Sequence, residues 1–358
     1  MKNSTPRELG FHMPAEWEPH EAVWLAWPHD LDSFPHLEKA EAEFAAFIRE
    51  VRTDEHVNLL VLNQEMRGRA KDLLKNRAVD LNKVSFYLAD YADIWMRDYG
   101  PIFVLAPTPS FSPLSRGRLR GGLAMTKWIY NALGRKYPEL LKDNEIPYMM
   151  NQYLKLPMFE PGIVLEGGSI EVNGQGTLIT TESCLLNKNR NSNLSKEEIE
   201  GYLRDYLGAG KIIWLKEGIE GDDTDGHVDD IARFVNPNTV LCAFCEDRND
   251  PDYKPLKENF EILSASTDQD GKKLKILKLP TPGWVGKGGR RVPASYANFY
   301  ISNKKVIVPT FGTPNDKKAL EIIQSVFAGR KVVGLSARNI VFGLGTFHCM
   351  TQQQPASQ

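Results

Sequence analysis

A cysteine close to the carboxyl terminus lies in a segment that could support nucleophilic catalysis. Cys349 follows a run with glycines at positions 343 and 345, and residues 351–354 read Thr-Gln-Gln-Gln. An isolated cysteine is most often an unreactive core residue. Glycines, however, allow close backbone approach, and the polar run suits a hydrogen-bonded site better than a core strand. A thiolate at Cys349 would be a nucleophile once a neighbouring base or a bound cation favoured its ionisation.

Residues 221–230 surround one histidine, His227, with five aspartates. A solvated acidic turn and a calcium loop are alternative interpretations, but the glycine and final glutamate spacing of an EF-hand is absent. If the second half of the segment is a strand, the side chains of His227 and Asp229 point to the same face. Such a pair supplies a base beside an anchoring carboxylate.

Two further acids occur at predicted strand ends. Asp98 stands just before a Gly-Pro turn, at the tip of a predicted strand. An ion pair between its neighbour Arg97 and an acid is the structural alternative. Glu166 precedes the glycines at 167 and 168, and its alternative role is to close a turn.

A repeated unit would position these side chains. Residues 169–180, 231–242 and 298–309 each read as strand, turn and strand, about 65 residues apart. Ser195 and Glu198 form a capping box that predicts a helix after the first hairpin, and residues 314–316 precede another. Strands at 211–215 and 331–335 follow these helices. The unit is therefore strand–turn–strand–helix–strand, which predicts an α/β chain.

Such units cannot close a core singly, so several must pack together, as a ring or as a stack. Residues 107–162 fit the unit poorly, although 127–133 look helical, and we predict that this insertion rims the site. The motifs lead into or end successive units, which brings five residues to comparable ends: Asp98, Glu166, His227, Asp229 and Cys349. Carboxylates facing a Cys–His pair suit a guanidinium, since two carboxylates bind it bidentately and a thiolate attacks its central carbon.

The motifs at 95–98, 166–168, 226–229 and 348–353 resemble those of agmatine deiminases and the related bacterial peptidylarginine-deiminase-like proteins, as does the opening segment 13–28. The resemblance spans nearly the whole chain, and the motifs occur in the expected order. It implies one catalytic domain over residues 1–358 with a pentein fold, a five-bladed α/β propeller. Two departures concern the substrate end: Leu344, Thr346 and Phe347 replace Gly, Asn and Ile, and Ala92 replaces an Asn.

The resemblance also implies roles for individual residues. Cys349 corresponds to the nucleophile that forms an amidino-cysteine intermediate, and His227 to the general acid and base. Asp98 and Asp229 correspond to the guanidinium-binding carboxylates, and Glu166 to the acid near the histidine. Two more positions match substrate contacts, a binding aspartate at Asp223 and a channel-lining aromatic at Trp95. The implied reaction needs no cofactor or metal and converts agmatine to N-carbamoylputrescine and ammonia.

Composition limits the remaining classes of function. The 358 residues carry a net charge of −2, so no electrostatic footprint for nucleic acid is present. No secretory signal or bilayer-spanning run is apparent, and four cysteines do not make a disulfide framework, which favours a cytoplasmic protein. Cys242 and Cys245 are predicted to pack at a strand end, and Cys184 in a core strand. The expected partner is a small guanidine, with homo-oligomerisation left open. The alternatives are a peptidylarginine or free-arginine deiminase, an amidinotransferase, and a non-catalytic binding propeller.

Overall fold

The structure, a computed structural model, describes residues 4–106 and 122–357. The strands in these residues are β1 His20–Ala26, β2 His56–Val61, β3 Val84–Leu88, β4 Ile102–Leu105, β5 Leu123–Thr126, β6 Met158–Phe159, β7 Glu171–Val172, β8 Thr177–Thr181, β9 Lys211–Leu215, β10 Ala232–Asn236, β11 Thr239–Phe244, β12 Lys275–Pro280, β13 Gly286–Lys287, β14 Arg290–Arg291, β15 Tyr300–Ile301, β16 Lys305–Thr310, β17 Lys331–Ser336 and β18 Gln352–Pro355. The α-helices are α1 Leu37–Val51, α2 Gln64–Asn76, α3 Met96–Tyr99, α4 Ala132–Arg135, α5 Ile146–Leu154, α6 Glu182–Leu185, α7 Lys188–Asn191, α8 Lys196–Leu207, α9 Tyr253–Ala265 and α10 Asp316–Val326.

Across the described residues, these strands form five small sheets of similar build and one short hairpin, β13–β14. Four of the sheets have three strands, in the orders β4-β5-β6, β7-β8-β9, β10-β11-β12 and β15-β16-β17. In each, the first two strands are antiparallel and the third joins in parallel. The fifth sheet, β18-β1-β2-β3, has the same pattern, but its antiparallel strand comes from the far end of the chain. The pairing of β18 with β1 anchors the segment that carries Cys349.

The helices after the hairpins form for the reasons that the sequence indicates. Ser195 accepts a hydrogen bond from the Glu198 backbone, and the Glu198 side chain returns one to Ser195, so α8 begins with a complete capping box. Its buried face carries Ile199, Leu203 and Leu207, at helical spacing. The strand that follows, β9, has the predicted bounds. Parallel addition of the third strand requires such a crossover, which explains the order of elements in the unit.

The predicted insertion contains two strands of a sheet. Part of it, residues 107–121, lies outside the described residues. The rest supplies β5 and β6, so residues 122–162 complete a repeat unit with an enlarged connection between its last two strands. The helix predicted at 127–133 is wrong. Ile129 makes a bridge with Val164, and the short element α4 at 132–135 is not a right-handed α-helix, because all four of its residues have positive φ.

Buried apolar side chains fill the space between sheets and helices in three clusters. All four cysteines are free and buried. Cys245 directly follows β11 at its end, as predicted, whereas Cys242 lies within the strand, where it pairs with Ala232 and Lys278. Cys184 lies in the one-turn helix α6, not in a strand, because the Thr181 hydroxyl caps that turn. No helix of the described residues is both long and apolar enough to cross a bilayer.

Candidate active site

A cavity of about 480 Å³ opens to solvent and ends at Cys349. Acidic side chains dominate the charged part of its lining, whereas the cations there are Lys142 and Arg290. The residues that line it are His29, Asp30, Asp32, Ser33, Ala92, Asp93, Trp95, Asp98, Leu133, Tyr137, Glu139, Leu140, Lys142, Asp223, Thr224, Asp230, Arg290, Phe342, Gly343, Leu344 and Cys349. Five of them, from Leu133 to Lys142, belong to the described part of the predicted insertion.

The Cys349 side chain is held by a buried amide. Asn298 Nδ2 donates a hydrogen bond to Cys349 Sγ at 2.9 Å. The amide oxygen of Asn298 accepts three hydrogen bonds, from Thr346 Oγ1 at 2.7 Å, from the His348 backbone at 3.0 Å and from the Cys349 backbone at 3.3 Å. Because three donors meet at the oxygen, the amide nitrogen must face the sulfur. Asn298 therefore orients both the thiol and the turn that carries it.

The surroundings of the thiol disfavour its ionised form in the empty site. Burial raises the pKa of Cys349 well above its usual range, and the nearby carboxylates of Asp229, Asp230 and Asp98 raise it further. Cys349 Sγ lies 3.5 Å from Asp229 Oδ2. A cation entering this end of the cavity would reverse the effect, because it would neutralise the acids and favour the thiolate.

His227 and Asp98 meet over a glycine. His227 Nδ1 lies 3.5 Å from Asp98 Oδ1, and the Gly168 backbone N–H donates to the same oxygen at 3.1 Å. A Cβ on Gly168 would fall 2.6 Å from His227 Nδ1, 2.7 Å from Asp98 Oδ1 and 3.2 Å from Asp229 Oδ2. The Glu-Gly-Gly motif thus has a steric reason: its second glycine leaves room for three functional side chains to converge.

His227 is buried and neutral. Burial lowers its pKa to about 3, although the charge of Asp229 opposes that shift. Neither ring nitrogen has a hydrogen-bond partner among the described residues, so the hydrogen-bonding capacity of both is unused. His227 and Asp229 do face the same site, but the predicted strand is wrong. Val228–Asp230 forms a 3-10 turn, which begins after His227 has bonded through its backbone to Thr224 Oγ1.

Asp229 begins a buried row of hydrogen bonds and ion pairs. Its Oδ2 accepts from His348 Nδ1 at 2.7 Å, and His348 Nε2 lies 3.3 Å from Glu16 Oε2. Glu16 in turn pairs with Arg233, which also contacts Glu171 at 3.0 Å. Burial raises the pKa of Asp229, but the hydrogen bond and charge of His348, together with the charges of His227 and Arg233, lower it below its usual range. The charged form of this carboxylate is therefore favoured beside Cys349.

Glu166 lies behind His227 and is fully buried. Its Oε1 accepts from Arg190 Nε at 2.7 Å, and Arg190 also donates to Asp225 Oδ2 at 2.6 Å. One oxygen of Glu166, the Cys184 sulfur and a ring nitrogen of His227 lie within 4.8 Å of one another. Glu166 thus does more than close a turn, since it places an anion beside the imidazole and binds the arginine that holds the acidic loop.

The one-turn helix α3 separates the roles of Arg97 and Asp98. Asp98 is not at a strand tip; its helix turns the carboxylate into the cavity. The alternative that Arg97 forms an ion pair with an acid is also wrong. Arg97 donates to His348 O at 3.3 Å, to Gln353 Oε1 at 2.7 Å and to Thr351 Oγ1 at 3.3 Å. Arg97 therefore holds the polar residues 351–354, which follow Cys349, in place.

Trp95 and Asp223 lie in the cavity wall, as the sequence predicts. The indole of Trp95 packs on the glycines of the 343–349 run, because a Cβ on Gly343 or Gly345 would fall 2.8 or 2.6 Å from its ring atoms. Asp223 Oδ2 accepts a hydrogen bond from Tyr137, which comes from the enlarged connection. This contact joins the acidic loop to the residues that rim the cavity.

Sequence reasoning missed Asn298, His348 and Arg190. For Asn298 and His348 the signal is a polar side chain in or beside an apolar segment, which costs free energy unless a hydrogen bond satisfies it. Arg190 lies in the polar run 187–193 and carries no such signal. Asp230 was also missed, because strand alternation would turn it away from Asp229. In the 3-10 turn it faces the cavity instead. Two trios could hold a metal by ligand type and spacing: Glu166, Cys184 and His227, and Asp229, Asp230 and Cys349.

The repeated α/β units and this acid-lined thiol site are those of the pentein class of enzymes. The chain belongs to the Porphyromonas-type peptidyl-arginine deiminase family, whose model matches residues 12–355.

Similar proteins cover the chain end to end. A Legionella pneumophila relative is 39% identical over 358 residues, which span 99% of this chain and 98% of its own. The agmatine deiminase of Stutzerimonas stutzeri is 37% identical, with 99% and 98% covered. Among solved structures, the agmatine deiminase of Enterococcus faecalis superposes with a TM-score of 0.88 at 33% identity, covering 100% of this chain and 99% of that one.

Proposed function

We propose that this chain hydrolyses a guanidine, and that agmatine is its preferred substrate, with N-carbamoylputrescine and ammonia as products. The observation that carries the proposal is the convergence of four residues: Cys349 and Asp98 line the acidic cavity, and the buried side chains of His227 and Asp229 each lie 3.5 Å from one of them. The agmatine deiminases among its relatives, similar over their full length, support the same reaction. In keeping with that relationship, we propose a single domain over residues 1–358 whose five sheets form the blades of a propeller.

The guanidinium is held between Asp98 and Asp229, which accept its N–H groups as charge-assisted hydrogen bonds. Its positive charge offsets the carboxylates that raise the pKa of Cys349, so binding itself promotes the thiolate. The neutral imidazole of His227 takes the thiol proton. The sulfur then attacks the central carbon, and the C–N bond to ammonia breaks as His227 returns the proton.

Water completes the reaction. The amidino-cysteine carries a carbon bonded to sulfur, and His227 removes a proton from a water that attacks it. The C–S bond breaks, the thiol recovers a proton and the urea product leaves. Glu166, held by Arg190 behind His227, stabilises the imidazolium that forms transiently there.

The far end of the cavity distinguishes substrates. Agmatine carries an amine there, whereas free arginine adds a carboxylate. Asp223 and the acids near the mouth favour the amine, while burying a carboxylate among them is costly. Trp95 supplies an apolar wall for the methylene chain.

The proposal is tested by ammonia release from a panel of guanidines by the wild-type chain and by Cys349→Ser. We expect turnover of agmatine that disappears in Cys349→Ser, with an unchanged circular dichroism spectrum. Cys242→Ser removes a thiol that is buried within β11 and should retain activity. Ammonia release that survives Cys349→Ser would show that another group attacks the substrate.

A further inference from the structure

Two buried carboxylates stand beside the Cys349 thiol with oxygens that are not satisfied. Asp229 Oδ1 and Asp230 Oδ1 accept no hydrogen bond from residues 4–106 or 122–357. One oxygen of each carboxylate and Cys349 Sγ lie within 4.8 Å of one another. Asp230 and Cys349 both line the cavity, so a solute can reach them from solvent. The proposed reaction leaves Asp230 without a role.

We propose that Asp229, Asp230 and Cys349 form a binding site for a thiophilic divalent cation, best fitted by Zn²⁺. Thiolate and carboxylate are both common zinc ligands, whereas Mg²⁺ and Ca²⁺ prefer oxygen alone. Bond lengths of about 2.3 Å to sulfur and 2.1 Å to oxygen place tetrahedral ligand atoms about 3.4–3.6 Å apart. The 3.5 Å separation of Cys349 Sγ and Asp229 Oδ2 already matches that spacing. Asp230 needs only a small side-chain adjustment.

Charge balance favours the cation. When zinc binds, the S–H bond of Cys349 breaks, the proton passes to solvent and a Zn–S bond forms. The ion then compensates a thiolate and two carboxylates that have no counter-ion of their own among the ligands. The cavity side leaves a coordination position for water, so no buried group has to move away.

Zinc and guanidinium would exclude each other. Both need Asp229 and Cys349, and the ion lies where the guanidinium carbon must approach the sulfur. Zinc binding would therefore inhibit catalysis reversibly, because the bound ion occupies both the nucleophile Cys349 and the substrate-binding carboxylate of Asp229. This consequence rests on the proposed function, but the binding of zinc does not.

Two other thiol sites are rivals for the ion. Glu166, Cys184 and His227 are close enough to bind one, but Glu166 is already paired with Arg190, whose charge repels a second cation. No member of that trio lines the cavity, whereas Asp230 and Cys349 both do. Cys242 and Cys245 are buried, and among the described residues neither belongs to a trio of ligand atoms close enough to hold an ion.

Zinc binding is measured on the full-length, substrate-free chain by titrating Zn²⁺ in competition with a chromogenic chelator. We expect one zinc per chain, and loss of that site in Cys349→Ser. Asp230→Asn should weaken binding by at least about tenfold, since even groups that only orient a ligand contribute 10- to 100-fold. Cys184→Ser and Cys242→Ser are the matched thiol controls and should bind as the wild type does. Unchanged binding in Cys349→Ser, or loss in Cys184→Ser, would overturn the assignment.

Initial-rate kinetics test the overlap with substrate. We expect Zn²⁺ to raise KM for agmatine without changing kcat at saturating substrate, and a chelator to restore the original KM. A fall in kcat at unchanged KM would refute the proposal that zinc and substrate occupy the same site. If the chain released no ammonia from any guanidine, the proposed function would fail, while the titrations of Cys349→Ser and Asp230→Asn would still decide the zinc site.

Discussion

Asn298→Asp isolates the contribution of one hydrogen bond to the reactivity of Cys349. The substitution keeps the shape of the side chain and the oxygen that binds Thr346 and the backbone of residues 348 and 349. It replaces the N–H group that donates to Cys349 Sγ at 2.9 Å with a carboxylate oxygen. The turn therefore stays anchored, while the only change at the sulfur is loss of a donor and gain of negative charge.

The size of the effect follows from the charge on the acceptor. A hydrogen bond to a charged group contributes about 1.5–3 kcal/mol, and one pKa unit corresponds to about 1.4 kcal/mol. Loss of the donor alone should raise the thiol pKa by about one to two units. Since the pKa of Cys349 already lies above its usual range, the thiolate fraction at neutral pH should fall about 10- to 150-fold. Repulsion from the new carboxylate adds to this loss.

The assay is the rate of alkylation by iodoacetamide across pH, with peptide mass spectrometry to separate Cys349 from the other three thiols. The rate profile should shift to higher pH in Asn298→Asp, and kcat should fall in parallel. Thr346→Val is the control, because it removes one donor to the amide oxygen but leaves the N–H to sulfur contact. Equal profiles for Asn298→Asp and the wild type, or a larger shift in Thr346→Val, would refute the reasoning.

Three further substitutions test other parts of the site. Gly168→Ala places a Cβ against His227 and Asp98. Because displacing a catalytic group by about 1 Å can lower the rate about 100-fold, kcat should drop by that order with little change in Tm. Normal turnover would contradict the steric argument. Asp98→Asn in a Cys349→Ser background should weaken agmatine binding, measured by calorimetry, by about 10- to 150-fold. Unchanged affinity would show that Asp98 does not bind the substrate. Wild-type kcat/KM should favour agmatine over arginine by at least about a hundredfold. Asp223→Asn should reduce that ratio, and an unaltered ratio would show that Asp223 does not contact the tail.

The repeat could be predicted from the sequence because its elements carry local signals. The Asn-Gly turn at 173–174 and the capping box at Ser195 are satisfied within a few residues, so they mark a hairpin and a helix without tertiary information. The enlarged connection carries no such signal. Residues 132–135 adopt positive φ beside a tertiary contact, the hydrogen bond that Asn131 Nδ2 donates to Asn189 O, 58 residues along the chain. Propensity alone favours a helix at that point.

The candidate site was predictable in membership but not in construction. His227 and Asp229 were expected to meet on one face of a strand, and they meet through a 3-10 turn instead. The same difference explains why Asp230 faces the cavity. Three successive side chains of a 3-10 turn point in three directions, whereas those of a strand alternate between two faces. Asn298 lies 51 residues from Cys349 along the chain, so no local pattern connects them.

The empty site holds a charge arrangement that only a cation completes. Burial raises the pKa of Asp98 and of Asp230 well above the usual range, and Asp229 raises both further, so the empty cavity disfavours the charged form of these acids. The cations nearby are committed elsewhere, since Arg190 pairs with Glu166 and Arg97 fastens the run after Cys349. An entering guanidinium reverses the balance: it favours the ionised acids and the thiolate together. Recognition and activation are therefore one electrostatic event, which explains why a resting thiol with a raised pKa is compatible with nucleophilic catalysis.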